Sequence, residues 1–298
     1  MRSNQPDLSQ KPTMQQQYTL ADVIKTARPG FWPTHLWFYL IPFAGRDMFS
    51  SVPFWLGAVY VCFPLGLLTY GWNDLGDNET DRVNPRKDSW LFGAIPNATL
   101  RKHLPRIILA TQVPFLVIFT CVAGPKILGW FVALVIVNTC YNTLGFKRLP
   151  ILDLLNQVGY VLIFILASWL CDLPQLNAPA MVFGAIFAMQ SHLFGQLMDI
   201  DEDEKAGRKS TAVVLGVVPS KLLLVTIMVT LSLIAYRYFQ VPVVAIFMTF
   251  GTIFFFLDMC FGPRRYPVWF TTSFFIAWNV VVIVSVHFVW RYGMFVTG

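Results

Sequence analysis

Charged side chains are scarce in this sequence. Asp, Glu, Lys and Arg together form 13% of its 298 residues, against roughly 25% in soluble globular domains. Apolar residues reach 56% and aromatic residues 16%. So few charges do not cover the surface of a soluble protein, and the composition therefore indicates an integral membrane protein.

Paired cysteines are also missing. The five cysteines lie in or at the ends of apolar runs, and no two of them form a CxxC pair. This pattern argues against a disulfide framework or a zinc site and favours buried apolar packing. They are Cys62, Cys121, Cys140, Cys171 and Cys260.

Nine apolar runs approach or reach the length that crosses a bilayer, about 20 residues. They predict an all-α integral membrane protein with nine transmembrane helices, the first of them bent because it contains Pro33 and Pro42. The predicted spans are 31–46, 52–72, 105–123, 127–143, 151–171, 178–198, 213–236, 241–260 and 267–290.

The domain organisation follows from the same runs. Residues 1–20 are polar and are predicted to form a flexible cytoplasmic tail. The interruptions between later runs are short and carry Pro, Gly or charge, as in Gly124-Pro125-Lys126. Residues 21–298 are therefore predicted to form a single transmembrane domain.

The basic residues predict the orientation. Of the 22 Lys and Arg residues, 18 fall on the side of the membrane that holds the N-terminus, if the spans number nine. The positive-inside rule then places the N-terminus in the cytoplasm and the C-terminus on the opposite side. Because the formal charge of +6 is concentrated in the loops of one membrane face, it does not indicate a nucleic-acid partner.

Two acidic motifs follow the second and sixth spans. Asn73, Asp77 and Asp81 are spaced i, i+4, i+8, and Asp199 and Asp203 are spaced i, i+4, so each set lies along one helix face. Like charges at this spacing repel unless a divalent cation holds them together. The four-span interval predicts two four-helix repeats plus one helix around a central cavity, with both motifs cytoplasmic and facing each other.

Carboxylates and basic residues on one membrane face suit a magnesium–diphosphate ligand. Mg²⁺ is usually held by one or two carboxylates together with substrate phosphates. An apolar cavity behind the site would hold a hydrocarbon tail, as in an isoprenyl diphosphate. The predicted chemistry is ionisation of the diphosphate to an allylic carbocation, which aromatic walls stabilise.

The two motifs resemble those of the UbiA-type intramembrane prenyltransferases. Supporting features are Arg28-Pro29-Gly30 before span 1, Tyr141 with Lys147 after span 4, and Lys209-Ser210-Thr211 after the second motif. The stretch from Asn73 to Lys87 is especially similar to the lycopene elongases, the carotenoid-modifying branch. The resemblance implies two Mg²⁺ ions bridging the motifs to the diphosphate. It also implies prenyl transfer to an apolar acceptor in the membrane, either aromatic or a polyene.

The site prediction contains metal ligands and diphosphate contacts. Asn73, Asp77, Asp81, Asp199 and Asp203 are predicted to be catalytic and to bind the metal. Some of the diphosphate contacts have alternatives: Arg86 and Lys87 could serve only the positive-inside rule, and Gln196 could bond a neighbouring helix. The predicted diphosphate contacts are Arg86, Lys87, Tyr141, Lys147, Gln196 and Lys209.

Other polar residues near the motifs are ambiguous. His192 lies inside span 6 and could act as a base, although hydrogen bonding between helices is favoured. Asp74 falls off the motif face, so a solvated or supporting role is at least as open as metal ligation. Asp153 and Asp258 stand near span ends and are expected at the interface.

Two other functions remain open at this point. A UbiA-type terpene cyclase would ionise the same diphosphate but capture the cation with the chain's own double bond. A transporter would carry charged residues near the middle of several spans and broken midplane helices. The spans are almost free of charge, which disfavours the transporter.

Overall fold

The computed structural model describes residues 17–77, 81–82, 84–239 and 242–292. Within these ranges the regular secondary structure is helical, and β pairing is limited to an isolated bridge between Ser89 and Gly93. The predicted all-α fold is therefore confirmed. Most of the predicted tail, residues 1–16, lies outside the described residues, and the domain boundary at residue 20 stays a prediction.

The helices differ widely in length. The short ones are α1 (Leu20–Thr26), α2 (Trp32–Leu40), α8 (Ile200–Lys205) and α9 (Thr211–Leu215). The long ones are α3 (Val52–Gly76), α4 (Ala98–Ala123), α5 (Lys126–Asn142), α6 (Leu152–Leu170), α7 (Ala178–Met198), α10 (Val217–Tyr238), α11 (Pro242–Phe261) and α12 (Val268–Tyr292).

Eight helices in the described part of the chain are long and apolar enough to span a membrane, and the protein is a multi-pass integral membrane protein. They correspond to the second to ninth predicted spans. The first predicted span is shorter than expected: α2 has 9 residues and continues only as a 3₁₀ turn, Ile41–Phe43. Ala44 then adopts a left-handed conformation with φ 47° and ends the helix. The count of nine is therefore not confirmed.

The short helix α2 is nevertheless packed inside the protein. Its Phe38 ring lies 5.1 Å from that of Phe164 on α6, and its Trp37 ring lies 5.2 Å from that of Phe187 on α7. All four side chains are buried. Since lipid is as apolar as these rings, close packing and aromatic geometry hold α2 in place, at about 0.5–1.5 kcal/mol for each ring pair.

Helix α3 changes its winding just before the first acidic motif. Residues Leu67–Gly71 form a π-helical turn, and the α-helix resumes over Trp72–Gly76. A π turn adds a residue to one turn of the helix and so rotates the residues that follow. This turn therefore sets the directions in which the side chains of Asn73 and Asp74 project from the helix.

The cysteines are all free thiols, as the absence of a pairing pattern predicts. The sequence predicts that they are buried apolar residues, but their burial varies. Cys171 is buried, whereas Cys121 and Cys260 are exposed on the outer surface of the helix bundle. Their neighbours in sequence are apolar, so exposure here is compatible with contact to lipid.

Candidate functional site

A cavity of about 350 Å³ lies between α2, α3, α5, α6, α7, α11 and α12. Its walls include rings from Phe31, Phe38, Trp130, Phe275 and Trp278. One end is formed by the carboxyl-terminal ends of α3, α5 and α7 and the segments that follow them, where charged side chains gather. We call this the charged end. The volume lies in the range of ordinary ligand pockets.

Asp77 is held between two basic side chains at the charged end. Lys147 Nζ donates to Asp77 Oδ1 at 2.7 Å, and Arg208 Nη2 lies 2.7 Å from Asp77 Oδ2. Lys147 also donates to Asn73 Oδ1 at 3.2 Å. Burial alone would raise the pKa of Asp77, but Arg208 and Lys147 outweigh burial and hold the pKa below its ordinary value. Asp77 is therefore ionised at neutral pH.

A second group of charges surrounds Asp74 and Asp81. Lys87 Nζ lies 3.1 Å from Asp74 Oδ1 and 3.0 Å from Asp81 Oδ2, so it joins the two carboxylates. Arg28 Nη2 donates to the same oxygen of Asp74 at 2.8 Å. Asp74 is fully buried. It is therefore not solvated, and it supports two of the cations of the site.

The second motif contributes Asp199 and Asp203. Asp199 forms an ion pair with Arg86 and accepts a hydrogen bond from Asn84 Nδ2 at 3.0 Å. Asp203 is buried, and its Oδ1 atom lies 3.4 Å from Arg208 Nη1. Burial raises the pKa of Asp203, and Arg208 only partly offsets this.

These contacts join the two motifs to each other. Arg208, from the segment after the second motif, reaches Asp77 of the first. Arg86, from the segment after the first motif, reaches Asp199 of the second. The two motifs thus meet at one end of a central cavity, in the arrangement that the sequence predicts, whereas the four-helix repeat stays a prediction.

The predicted diphosphate contacts differ in their surroundings. Arg86, Lys87, Tyr141 and Lys147 line the cavity. Gln196 also lines it, but its amide nitrogen donates to a carboxylate oxygen of α6 at 2.6 Å and its amide oxygen accepts from a backbone N–H of α9 at 3.2 Å. Both ends of Gln196 therefore have protein partners, as the helix-bonding alternative expects.

Lys209 does not reach the cavity. Its side chain is exposed, and its neighbour Arg208 lines the cavity instead. The chain turns at Gly207, which has φ +67°, and Arg208 N then donates to Asp203 O at 2.9 Å. This turn decides which of the two adjacent cations points inward.

Several residues of the charged end are absent from the site that the sequence predicts. Arg28, Asn84, Arg208 and Ser210 line the cavity. The sequence signal for Arg208 is its place in a basic segment close to an acidic motif, a signal that it shares with Lys209.

Asp153 and Asp258 stand near the ends of α6 and α11, as expected, and their position at the membrane interface stays a prediction. Both side chains are buried within the protein. Asp153 is fully buried and accepts hydrogen bonds from Gln196 Nε2, from Thr211 N at 2.7 Å and from Thr211 Oγ1. The Asp258 side chain is buried against Lys221 Nζ, at 3.0 Å. Convergent donors offset the cost of burying a carboxylate in each case. Asp153 thereby fastens the start of α6 to α7 and α9, next to the segment that carries the inward cation.

His192 contacts Tyr141 within the cavity. Its Nε2 atom lies 3.3 Å from Tyr141 Oη, which links α7 to α5. This is the hydrogen bond between helices that the sequence favours for His192.

The oxygen donors of the two motifs suit a metal ion whose coordination is completed by oxygens of the substrate. Within the described residues, no group of three or more His, Cys, Asp and Glu side chains is arranged to hold an ion by itself. The carboxylate and amide oxygens are instead spread along the charged end. That suits Mg²⁺, which takes one or two carboxylates and completes its coordination with substrate oxygens.

The fold and the cavity together define a class of protein, namely a multi-pass membrane protein with charged groups at one end of an apolar chamber. Residues 31–280 match the model of the UbiA prenyltransferase family. The chain belongs to this family, and the resemblance seen in the motifs is confirmed.

Curated relatives agree with this assignment. A lycopene elongase/hydratase of Corynebacterium glutamicum is 28% identical over 172 residues, covering 55% of this chain and 58% of that protein. A C(50) beta-cyclic carotenoids biosynthesis protein of Dietzia sp. is 28% identical over 187 residues, covering 60% of this chain and 41% of that protein. The chain thus spans about half the length of these curated relatives.

The fold has a solved counterpart. A UbiA homologue from Archaeoglobus fulgidus, solved bound to GPP and Mg²⁺, superposes with a TM-score of 0.69 at 17% identity, covering 90% of this chain and 99% of that one. At this identity the likeness establishes the fold alone.

Proposed function

We propose that this protein transfers a prenyl group from an isoprenyl diphosphate to an apolar acceptor in the membrane, with Mg²⁺ as cofactor. The observation that carries the proposal is the cavity itself. Two acidic motifs and a set of basic side chains meet at one end, and aromatic walls form much of the rest. A ligand with an anionic head and a long apolar tail matches both parts. The basic residues are Arg28, Arg86, Lys87, Lys147 and Arg208.

The metal-binding role is assigned to the predicted motif residues, Asn73, Asp77, Asp81, Asp199 and Asp203. Their oxygens are hard donors of the type that Mg²⁺ prefers, and all of them line the cavity. Mg²⁺, proposed here as two ions, supplies neutralisation of the charge on the departing diphosphate. The Mg²⁺ and GPP bound to the Archaeoglobus homologue support this assignment.

The basic side chains bind and orient the diphosphate. Arg28 Nε is buried and has no hydrogen-bond partner among the described residues, although the Arg28 side chain lines the cavity. A buried donor without a partner is destabilising, and a phosphate oxygen would satisfy it. Together the cations stabilise negative charge as the carbon–oxygen bond breaks.

The aromatic walls exclude water and stabilise the allylic cation. The ring of Phe31 lies 5.3 Å from that of Tyr70 and 4.8 Å from that of Phe275, and all three line the cavity. Such faces attract a cation by about 0.5–2 kcal/mol each. For the acceptor we propose a polyene of the carotenoid type, with support from the carotenoid-related names of the Corynebacterium and Dietzia relatives.

A product assay tests this proposal. Purified protein is incubated with Mg²⁺, dimethylallyl diphosphate or GPP, and lycopene in mixed micelles. We expect a product heavier than lycopene by at least one prenyl unit, formed only when donor, acceptor and metal are all present. A cyclic terpene formed without lycopene would establish the cyclase instead, and no diphosphate release from either donor would contradict both.

We also propose that the N-terminus and both acidic motifs face the cytoplasm, with the C-terminus opposite. The distribution of 18 of the 22 basic residues supports this orientation. A C-terminal tag should be cleaved by protease added to right-side-out vesicles and protected in inverted vesicles. The reverse pattern would contradict the orientation.

A further inference from the structure

The cavity contains a hydrogen-bonded chain of side chains to which the proposed diphosphate site gives no role. It joins His35 on α2, Tyr70 on α3 and Tyr160 on α6, all of which line the cavity. His35 Nε2 lies 3.3 Å from Tyr70 Oη, and Tyr70 Oη lies 3.2 Å from Tyr160 Oη. His35 is 1% exposed.

The contact between His35 and Val61 fixes which group donates and which accepts along this hydrogen-bonded chain. His35 Nδ1 lies 2.9 Å from the carbonyl oxygen of Val61, which can only accept, so Nδ1 carries the proton. In the neutral ring Nε2 is then an acceptor, and Tyr70 donates its hydroxyl proton to it. Tyr160 in turn donates to Tyr70 Oη, which leaves lone pairs of the Tyr160 oxygen available to accept a proton.

The location suits the last step of the proposed reaction. Tyr70 stands three residues before Asn73, about one helical turn ahead of the first acidic motif. The Arg28 guanidinium lies over the Tyr70 ring at 4.7 Å. The chain of hydroxyls therefore begins beside the charged end and continues across the aromatic part of the cavity, where the ring of Tyr160 lies 5.8 Å from that of Phe38.

Prenyl transfer onto a double bond creates a need for a base. The new carbon–carbon bond leaves a carbocation on the acceptor, and a neutral alkene forms only when an adjacent carbon loses a proton. A positioned base accelerates such a transfer by about 10²–10⁴-fold. A base within the charged end would lie beside the departing anion, whereas Tyr160, at the far end of this chain, lies next to the aromatic walls.

We propose that Tyr160, Tyr70 and His35 form a proton relay that ends the reaction. This inference rests on the proposed function. The C–H bond next to the cation breaks, and its electron pair forms the new double bond. The proton goes to Tyr160 Oη, the Tyr160 proton passes to Tyr70 Oη, and the Tyr70 proton passes to His35 Nε2. The charge that began on carbon ends on the imidazolium, whose Nδ1–H donates to Val61 O.

In this scheme only Tyr160 touches the reacting atoms. Tyr70 and His35 act through it, so they are positioning and proton-storing residues. If the relay is broken, the carbocation still forms, but it persists until water captures it and yields an alcohol. The ratio of alkene to alcohol therefore reports on the relay, and a general loss of activity does not change it.

The test is the product ratio of Tyr70→Phe and Tyr160→Phe with dimethylallyl diphosphate and lycopene. Each variant keeps its aromatic ring, so the ring contacts within the cavity remain. We expect diphosphate release to continue while the alkene-to-alcohol ratio falls by roughly 10²-fold, the lower end of what a positioned base contributes.

Tyr60→Phe is the matched control for these variants. Tyr60 is a buried tyrosine on the same helix as Tyr70, and it donates to Gln112 Oε1 at 2.8 Å. It is not among the described residues that line the cavity. Its substitution removes one hydrogen-bonded hydroxyl, as the other two do, and we expect the product ratio to stay unchanged.

Several results would overturn the relay. An unchanged ratio in Tyr70→Phe, or the same shift in the Tyr60→Phe control, would reduce the hydrogen-bonded chain to a link between helices. An unaltered protein that makes only alcohol would show that no base ends the reaction. Failure of the unaltered protein to release diphosphate would instead contradict the proposed function, and the relay with it.

Discussion

Replacing Asp199 with Asn is expected to lower magnesium-dependent diphosphate release by at least roughly 10²-fold. The proposed role of Asp199 is to offer a charged oxygen to the metal, and the amide of Asn lacks that charge. The side chain of Asp199 is 35% exposed, and its partner Arg86 is buried. The amide oxygen of Asn can still accept a hydrogen bond from Arg86, so the buried guanidinium keeps a partner. The measurement is the initial rate of diphosphate release at saturating Mg²⁺, with thermal unfolding in detergent as the check on folding.

The matched control is Asp201→Asn in the same acidic stretch. Asp201 does not line the cavity, and it pairs with Arg265, whose side chain is 75% exposed. An exposed pair of this kind contributes little to stability. We expect nearly unchanged turnover. Equal losses in Asp199→Asn and Asp201→Asn would mean that the acidic stretch acts as a general negative surface, without a specific ligand.

Replacing Arg208 with Gln is expected to have a similarly large effect, roughly 10²–10³-fold on turnover. Arg208 contacts Asp77 at 2.7 Å and Asp203 at 3.4 Å, and so it couples the two motifs while remaining available to the diphosphate. Burial alone would lower the pKa of Arg208, but Asp77 and Asp203 outweigh burial and raise the pKa above its ordinary value. The charge is therefore permanent, and raising the pH to about 9, far below the ordinary arginine range, should not imitate the substitution.

Lys209→Gln is the control that distinguishes the role of Arg208 from that of its neighbour. Both substitutions remove one positive charge from the same segment, but Lys209 is exposed and lies outside the cavity lining. We expect Lys209→Gln to keep nearly normal turnover. If Lys209→Gln loses activity while Arg208→Gln keeps it, Lys209 and not Arg208 points into the cavity. That result would contradict the described turn at Gly207 and support the prediction made from the sequence.

The membrane spans were largely predictable from the sequence. Apolar runs of about 20 residues, separated by Pro, Gly and charge, predicted α3 and the later long helices. The exception is the start of α4, which begins at Ala98, well ahead of residue 105. Asn97 caps α4 and accepts a hydrogen bond from Leu100 N at 2.8 Å, so the helix includes a polar turn with Arg101. Hydropathy detects only the apolar part of such a helix.

Hydropathy did not predict how early the first predicted span ends. Its prolines predicted a bend, but the left-handed Ala44 that ends it is a local backbone choice, and no residue preference for it is visible in the sequence. Burial of Trp37 and Phe38 against other helices stabilises so short a helix. Such tertiary contacts join residues far apart in the chain and leave no periodic pattern.

Some features of the candidate site were also predictable from the sequence, and others were not. The motif aspartates were predictable because the same i, i+4 spacing occurs twice at matching places. The choice of Arg208 over Lys209 depends on the turn at Gly207, and the partners of Asp153 come from two other helices. These features arise only when the helices are packed.

We propose that the charged end binds an isoprenyl diphosphate through Mg²⁺. The most direct measurement is release of inorganic diphosphate from dimethylallyl diphosphate or GPP by the purified protein, with Mg²⁺ and then with excess EDTA. We predict release with Mg²⁺, none with EDTA, and recovery when Mg²⁺ is restored. Release at the same rate in EDTA, or no release from either donor under any of these conditions by a folded protein, would contradict the claim.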